Sequence, residues 1–265
     1  MVAAIDSYAP QETKFRREFL IGAALLSLPF AMLLVANPDI DLAISGALHD
    51  ACSVPAVRQG GPWCPTETVA FARNIFMAIF GFIAFATLII SIRVFRTERK
   101  LFGYEQARCW FMLAVLVFGP GVVANLALKD NLGRARPRDV IEFGGTKTFT
   151  PALIPSSECP RNCSFVSGEA SSMFAAFFGL ALLVPQYRLA TLAVGVAAGL
   201  ASGLVRMTQG AHFLSDVLFA GIFMALTVSV LHIAIIGVWR NPRRTLNLFS
   251  APLTPLMRVA MARIR

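Results

Sequence analysis

The chain has 265 residues, of which 56% are hydrophobic and only 15% are charged, whereas soluble domains carry about 25% charged residues. Such a composition cannot cover its apolar surface with polar groups, so it excludes a water-soluble globular protein and predicts a single domain embedded in lipid. The net charge of +9 would suggest nucleic-acid binding on a soluble fold. Here the basic residues lie mostly at the ends of apolar runs, which indicates membrane orientation and headgroup contact, and no nucleic-acid partner.

Six apolar runs are each long enough to cross a bilayer as a helix, which takes about 20 residues. They predict an all-α bundle of six transmembrane helices. In chain order the runs are residues 19–36, 69–92, 109–128, 167–185, 188–207 and 213–239. The first run follows three basic residues and therefore also resembles a cleaved signal peptide, but it is long for one, and no small-residue cleavage site follows it cleanly.

Basic residues in the connecting segments predict the orientation. Segment 93–108 carries five Lys or Arg residues, and the tail at about 240–265 carries six Arg and no acidic residue. By the positive-inside rule both lie in the cytoplasm, so the acidic loop 37–67 and the connections after the third and fifth spans lie outside. One outside loop, 129–165, nevertheless holds six basic residues. They predict an anion-binding site, although basic side chains resting on anionic lipid headgroups would give the same pattern.

Two polar clusters lie at span ends that are predicted to be outside. The first, KDNLGRARP, begins at Lys129; Lys129 and Arg136 can converge on one phosphate, although snorkelling side chains would look similar. The second, Ser167-Gly168-Glu169, opens the fourth span. Free backbone N–H groups and the positive end of a helix can hold a phosphate there, unless Ser167 is an ordinary N-cap.

The third cluster lies in the short link between the fifth and sixth spans. Arg206 ends the fifth span, His212 opens the sixth, and Gly210 allows the tight turn between them. Asp216 follows His212 by four residues, which places both side chains on one helical face. A carboxylate there can hydrogen-bond the imidazole, fix its tautomer and stabilise its charged form. A lone histidine is more often structural, but this pair beside an arginine in an apolar span indicates a functional site.

Four of the five cysteines lie in two loops that are predicted to be outside, Cys52 with Cys64 and Cys159 with Cys163. In an oxidising compartment each pair can form a disulfide, although spacing alone proves neither bond. Cys109 begins an apolar run and is predicted to be a core residue. The sequence shows no metal-ligand spacing.

Together, the three clusters resemble the type 2 phosphatidic acid phosphatase family, whose pattern is K-x6-R-P, P-S-G-H and S-R-x5-H-x3-D. This chain has K-x6-R-P from Lys129, V-S-G-E around Ser167, and V-R-x5-H-x3-D ending at Asp216. The match covers the third to the sixth span. It implies a six-helix phosphoric monoester hydrolase of the bacterial inner membrane, with its active site at the periplasmic ends of helices 3 to 6, no metal or other cofactor, and a membrane lipid phosphate as substrate.

The resemblance also implies a role for each site residue. His212 attacks phosphorus to form a phosphohistidine, and Asp216 orients the imidazole. The phosphoryl oxygens are held by cations and donors from all three clusters: Lys129, Arg136, Arg206, the Ser167 hydroxyl and the Gly168 backbone N–H. These roles combine covalent catalysis with electrostatic stabilisation of a charged transition state.

Three positions depart from the family pattern. Val166 and Val205 replace Pro and Ser, and we expect these changes to alter only local packing or one hydrogen bond. Glu169 replaces the histidine that protonates the leaving oxygen in the family. We expect Glu169 to act as the general acid or base. Alternatively, the substrate supplies a good leaving group, such as a sugar hemiacetal phosphate or pyrophosphate.

The string CSFVSG followed by an acidic residue is similar to the lipid A phosphatase branch of the family, and this resemblance implies removal of the 4′-phosphate of lipid A. Phosphatidylglycerol phosphate and undecaprenyl pyrophosphate are alternative substrates, and a lipid phosphotransferase would use the same residues. A non-catalytic lipid binder or transporter is the alternative from another class, but the pair of His212 and Asp216 would have little purpose there.

Overall fold

The computed structural model describes residues 9–52, 63–64, 67–97 and 105–237. Within these ranges the chain is mostly helical, and its one β-type pairing is an isolated bridge between Val140 and Lys147. The main helices are α1 (Ala9–Ala36), α2 (Asp39–Cys52), α3 (Glu67–Thr97), α4 (Gln106–Val117), α5 (Gly168–Leu183), α6 (Arg188–Thr208) and α7 (Leu214–His232). The basic tail predicted at about 240–265 lies outside the described residues.

Five helical stretches are long and apolar enough to cross a membrane, which confirms an all-helical, multi-pass membrane protein. They are Lys14–Ala36, Glu67–Thr97, Gln106–Asp139, Pro185–Thr208 and Leu214–Gly237. The third stretch contains α4, a π-helical segment, Phe118–Lys129, one further α-helical turn, Asp130–Leu132, and a short 3₁₀ turn, Pro137–Asp139, at its end. Lys129, which the first motif singles out, therefore lies near the end of a long continuous helix.

The fourth predicted run, residues 167–185, forms only the 16-residue helix α5. At 1.5 Å per residue α5 is about 24 Å long, which is shorter than a hydrocarbon core of about 30 Å. Twelve of its 16 residues are buried, because α4, α6 and α7 pack around it. A helix in this central position contacts protein rather than lipid, so its length need not match the bilayer.

Helix α2 was not predicted, since the sequence indicates a loop for residues 37–67. The helix carries polar residues in every turn and so lacks the apolar run by which a span is found. Asp39 and Asp41 lie in its first turn, where the helix dipole favours acidic side chains. The helix packs against α6 and α7 and buries the side chains of Asp41 and Ser45.

The hydrophobic core lies where α4, α5 and α7 meet. It includes Phe111 of α4, Phe174 and Phe178 of α5, and Met224 and Val228 of α7. In contrast, α1 and α3 expose many Leu, Ile and Phe side chains, as helices that face lipid do. The best-packed helices are thus the ones whose ends carry the three polar clusters.

Both cysteine pairs form disulfides. The bond between Cys52 and Cys64 joins the end of α2 to the segment before α3, and the Cys64 N–H donates to the Thr208 carbonyl at the end of α6, at 3.0 Å. The bond between Cys159 and Cys163 closes a short loop ahead of α5. The two bonds hold the connecting segments at the same end of the bundle as the polar clusters.

Candidate active site

The third cluster forms a tight hairpin between α6 and α7. Gly210 has a left-handed backbone conformation, with φ of +61°, which glycine adopts without steric cost. Trp63 packs so closely on it that a Cβ atom would come within 2.5 Å of the indole ring. This turn places Arg206 near the end of α6 and His212 immediately before α7, so side chains from two helices reach one site.

His212 is almost completely buried, with 1% of its surface exposed. Its Nδ1 atom lies 2.7 Å from the backbone carbonyl oxygen of Ser164, and because a carbonyl only accepts hydrogen bonds, Nδ1 carries the proton. In the neutral ring the lone pair is then on Nε2, which is buried and has no hydrogen-bond partner among the described residues. Burial lowers the pKa of His212, which favours the neutral, nucleophilic ring.

Asp216 does not form the direct hydrogen bond to the imidazole that the four-residue spacing suggests. Its Oδ2 atom is 3.6 Å from Nδ1 of His212, which is too long for a hydrogen bond. Oδ2 instead accepts from the Phe213 backbone N–H at 2.8 Å and from the Ser164 hydroxyl. The physical reason is that the Ser164 carbonyl occupies the position beside Nδ1. Asp216 therefore provides a nearby negative charge and also holds, through Ser164, the peptide that orients the ring.

The second cluster lies beside Lys129 at the start of α5. The Ser167 hydroxyl does not cap the helix, and it is buried without a hydrogen-bond partner among the described residues, so the structure does not show an ordinary N-cap. A Cβ atom on Gly168 would lie 3.4 Å from Nζ of Lys129. The ammonium group is therefore close to the first turn of α5, whose N–H groups have no partners within the helix. This combination can hold a phosphate.

Two guanidinium groups complete the set of predicted cations. Arg136 is 8% exposed and is held by the Asn162 carbonyl, to which Nη2 donates at 2.6 Å and Nε at 3.2 Å. The charges of Arg136, Lys129 and Arg206 lie close enough to act on one another. The structure thus brings together the three basic side chains that the motifs single out.

Glu169 lies between two arginines. Its Oε1 atom is 3.3 Å from Nε of Arg206. The same oxygen accepts a hydrogen bond from Nε of Arg73 in α3 at 3.1 Å. The side chain of Glu169 is 14% exposed, so solvent screens these ion pairs only in part. Two cationic neighbours stabilise the carboxylate form of Glu169.

Sequence reasoning missed the contacts of Arg134, Asp41 and Arg73 at this site. Arg134 belongs to the loop predicted to bind an anion, but it is 1% exposed and forms ion pairs with Asp41 at 2.8 Å and with Asp216 at 2.5 Å. It is therefore engaged by carboxylates and does not face a phosphate. The contact between Arg73 and Glu169 joins distant parts of the chain, so the sequence does not indicate it. The position of Arg73 inside an apolar run was nevertheless a signal that this arginine has a role.

The chain is similar to several known proteins. A family model described as the PAP2 superfamily matches residues 108–240, which contain all three clusters. The chain is 40% identical over 163 residues to a lipid A 4′-phosphatase of Francisella tularensis subsp. novicida, covering 61% of this chain and 71% of that protein. It is 33% identical over 190 residues to a lipid A 4′-phosphatase of Rhizobium leguminosarum, covering 69% and 81%. A lipid A 1-phosphatase of Rhizobium etli is 37% identical over 124 residues, covering 45% and 49%. No solved structure matches the chain.

Proposed function

We propose that this chain, which belongs to the PAP2 superfamily, is a membrane lipid phosphatase that removes the 4′-phosphate of lipid A. The observation that carries the proposal is the hydrogen bonding of the two ring nitrogens of His212. Its Nδ1 proton is held by a carbonyl, and its Nε2 atom is buried without a partner among the described residues. A histidine held in this way, beside Lys129 and the start of α5, is arranged as a nucleophile toward phosphorus.

In the first half-reaction, Nε2 of His212 forms a bond to phosphorus while the bond from phosphorus to the ester oxygen breaks. The products are a phosphohistidine and an alkoxide, which takes a proton from solvent. The charge on the phosphoryl oxygens is balanced by the site cations and by the donors of the Ser167 and Gly168 segment. Because Nδ1 keeps its proton, the phosphorylated ring is positive, and Asp216 at 3.6 Å provides the compensating charge.

In the second half-reaction, water attacks phosphorus, the nitrogen–phosphorus bond breaks, and inorganic phosphate leaves. Glu169 is the carboxylate available to accept the proton of this water, because the contacts with Arg73 and Arg206 keep it in the unprotonated form. We therefore assign Glu169 the role of general base in this step. Under this assignment Glu169 takes over part of the proton transfer that a histidine performs in the family pattern.

We also propose six spans, with α5 as the short central one, and an active site that faces the periplasm of a Gram-negative cell. The loop charges support this orientation, since the polar clusters lie at the helix ends that the positive-inside rule places outside. The two disulfides are consistent with it, because such bonds persist in oxidising compartments. No metal or other cofactor enters the proposed steps.

The choice of lipid A as substrate rests on the relatives. The 4′-phosphatases match this chain over 163 and 190 residues, whereas the 1-phosphatase matches it over 124. The exposed Lys147 and Arg161 extend positive charge beyond the site, which suits a large anionic glycolipid. Phosphatidylglycerol phosphate, undecaprenyl pyrophosphate and transfer to an acceptor lipid are the competing outcomes.

The test is phosphate release in detergent from lipid A labelled with ³²P at either the 4′ or the 1 position, with the two other lipids in parallel. We expect release from the 4′ position only, with and without EDTA, and none by His212→Ala. The His232→Ala variant is the matched control, since His232 is equally buried but lies at the other end of α7. Preferential release from another lipid would overturn the substrate. Label transferred to an acceptor lipid would indicate a phosphotransferase, and no reaction at all would indicate a binder.

A further inference from the structure

We propose that Asp41 and Arg134 are positioning residues that keep the negative charge of Asp216 available to His212 while the phosphohistidine forms. The inference rests on the proposed function of His212 as the nucleophile. Asp41 lies outside the range 108–240 matched by the family model, in the helix α2 that the sequence did not reveal. Neither residue faces the phosphate, so each would act through Asp216.

Asp41 caps the helix that carries the catalytic carboxylate. Helix α7 begins at Leu214, and no side chain of its own N-cap residue satisfies the first N–H groups. Asp41 does so from another helix: Oδ1 accepts from the Ser215 backbone N–H at 2.9 Å, and Oδ2 accepts from the Ser215 hydroxyl at 2.5 Å. A carboxylate at a helix N-terminus is also stabilised by the helix dipole. Helix α2 is thereby attached directly to the start of α7.

Arg134 links this cap to Asp216. Its Nη2 donates to Asp41 at 2.8 Å, and its Nη1 donates to Asp216 at 2.5 Å and to the Ser215 hydroxyl at 2.8 Å. Its Nε donates to the Thr150 carbonyl at 2.8 Å, and the guanidinium carbon lies 4.3 Å from the centre of the Phe213 ring. Arg134 is 1% exposed, and the two carboxylates are 1% and 0% exposed. The orientation of Asp216 is therefore fixed by a fully buried network.

The charge balance of the network explains why two carboxylates are needed. Arg134 contributes one positive charge, and Asp41 and Asp216 contribute one negative charge each, so the buried group carries a net charge of −1. That charge matches the positive ring that forms on His212. With Asp41 alone made neutral, Arg134 would cancel Asp216, and this network would offer the phosphorylated ring no net counter-charge in its buried site, which is unfavourable.

The same argument predicts a change in pH dependence. The charged groups that face His212 are Asp216 from α7, Lys129 from the π-helical segment and Glu169 from α5, with Arg134 and Asp41 behind Asp216. Asp41→Asn changes the net charge of the buried network from −1 to 0. This disfavours the protonated ring, so the acid limb of kcat/KM should move to lower pH. A role in packing alone would not move this limb in a defined direction.

The experiment compares Asp41→Asn with Ser45→Ala. Ser45 lies one turn further along α2, is 1% exposed, and its hydroxyl has no hydrogen-bond partner among the described residues, so its variant controls for packing of α2. For Asp41→Asn we expect kcat to fall about 10- to 100-fold, the range found for outer-shell residues that orient metal-bound histidines, with KM unchanged because no phosphate contact is lost. Ser45→Ala should keep the native kcat. An Asp41→Asn enzyme with native kcat and an unmoved acid limb would overturn the proposal.

A second readout does not depend on activity. The chain has three histidines, so NMR of protein labelled with ¹⁵N-histidine gives three pairs of ring signals, and His212→Ala identifies the pair of His212. If the native protein releases phosphate from no lipid, the proposed function fails. The titration of the His212 ring still tests whether Asp41 and Arg134 act on His212 through Asp216. A titration of His212 displaced to lower pH by Asp41→Asn supports this inference, and an unchanged titration overturns it.

Ser215→Ala takes over the test if Asp41→Asn does not fold. It keeps every charge but removes the hydroxyl that bridges Asp41 and Arg134. Ser229→Ala is its control, since that serine is also in α7 and fully buried. A severalfold lower kcat in Ser215→Ala at unchanged KM supports the proposal, and a kcat equal to that of the control overturns it.

Discussion

Replacing Glu169 with Gln tests whether this carboxylate carries the proton in the reaction. Gln fills nearly the same space, but it cannot accept a proton and does not balance the charges of Arg73 and Arg206. The Glu169 side chain is only 14% exposed, so water cannot freely take its place. General acid–base groups contribute about 10²- to 10⁴-fold in rate, which corresponds to about 3 to 5 kcal/mol of the activation barrier. We expect the kcat of Glu169→Gln to fall within this range.

Rapid-quench kinetics with ³²P-labelled lipid distinguishes the two roles that Glu169 can have. If it is the base of the second half-reaction, dephosphorylated lipid forms in a burst and the phosphoenzyme accumulates in Glu169→Gln. If it is the acid of the first half-reaction, both products form slowly and no phosphoenzyme accumulates. Arg73→Gln is the matched control, because it leaves the carboxylate and Arg206 in place, and we expect a smaller loss. A near-native kcat in Glu169→Gln would refute any acid–base role.

Four further outcomes test the glycine of the second cluster, the burial of His212 and the two disulfides. Gly168→Ala places a methyl group 3.4 Å from Nζ of Lys129, so steady-state kinetics should show a severalfold higher KM, whereas Gly81→Ala, whose methyl group meets no atom within 4 Å, should leave KM unchanged. Because burial lowers the pKa of His212, the acid limb of kcat/KM should lie below the usual histidine value of about 6.5. The same shift means that the unfolded chain binds more protons than the native one below that pH, so the melting temperature should fall on acidification. Reduction of both disulfides should also lower the melting temperature, since closing a loop with a sequence separation of 12 contributes about 3 kcal/mol by loop entropy.

The membrane class could be predicted from the sequence because apolar runs of sufficient length have few other uses. The predicted run 167–185 does contain α5, but the 16-residue length of this helix reflects its burial among other helices rather than the thickness of the bilayer. A search for apolar runs does not find α2, because polar residues in every turn interrupt any such run. This helix is held instead by the buried polar contacts of Asp41. Contacts of this kind depend on which helices meet, which composition does not specify.

The candidate site was predictable as a set of residues but only in part as a geometry. Spacing places Asp216 beside His212, yet the partner of Nδ1 is the carbonyl of Ser164, which lies 48 residues away in sequence. The basic residues of loop 129–165 look alike in sequence. Only the structure shows that Arg134 faces carboxylates, whereas Arg136 lies near Lys129 and Arg206.

The most direct test of the central claim is to locate the phosphoryl group on His212. The native enzyme, mixed with ³²P-labelled lipid A and quenched in alkali after milliseconds, should carry label on the peptide that contains His212. That label should be stable in alkali and lost in acid, as a nitrogen–phosphorus bond is, and His212→Ala should carry none. Label on another side chain, or phosphate release by His212→Ala at the native rate, would contradict the proposed mechanism.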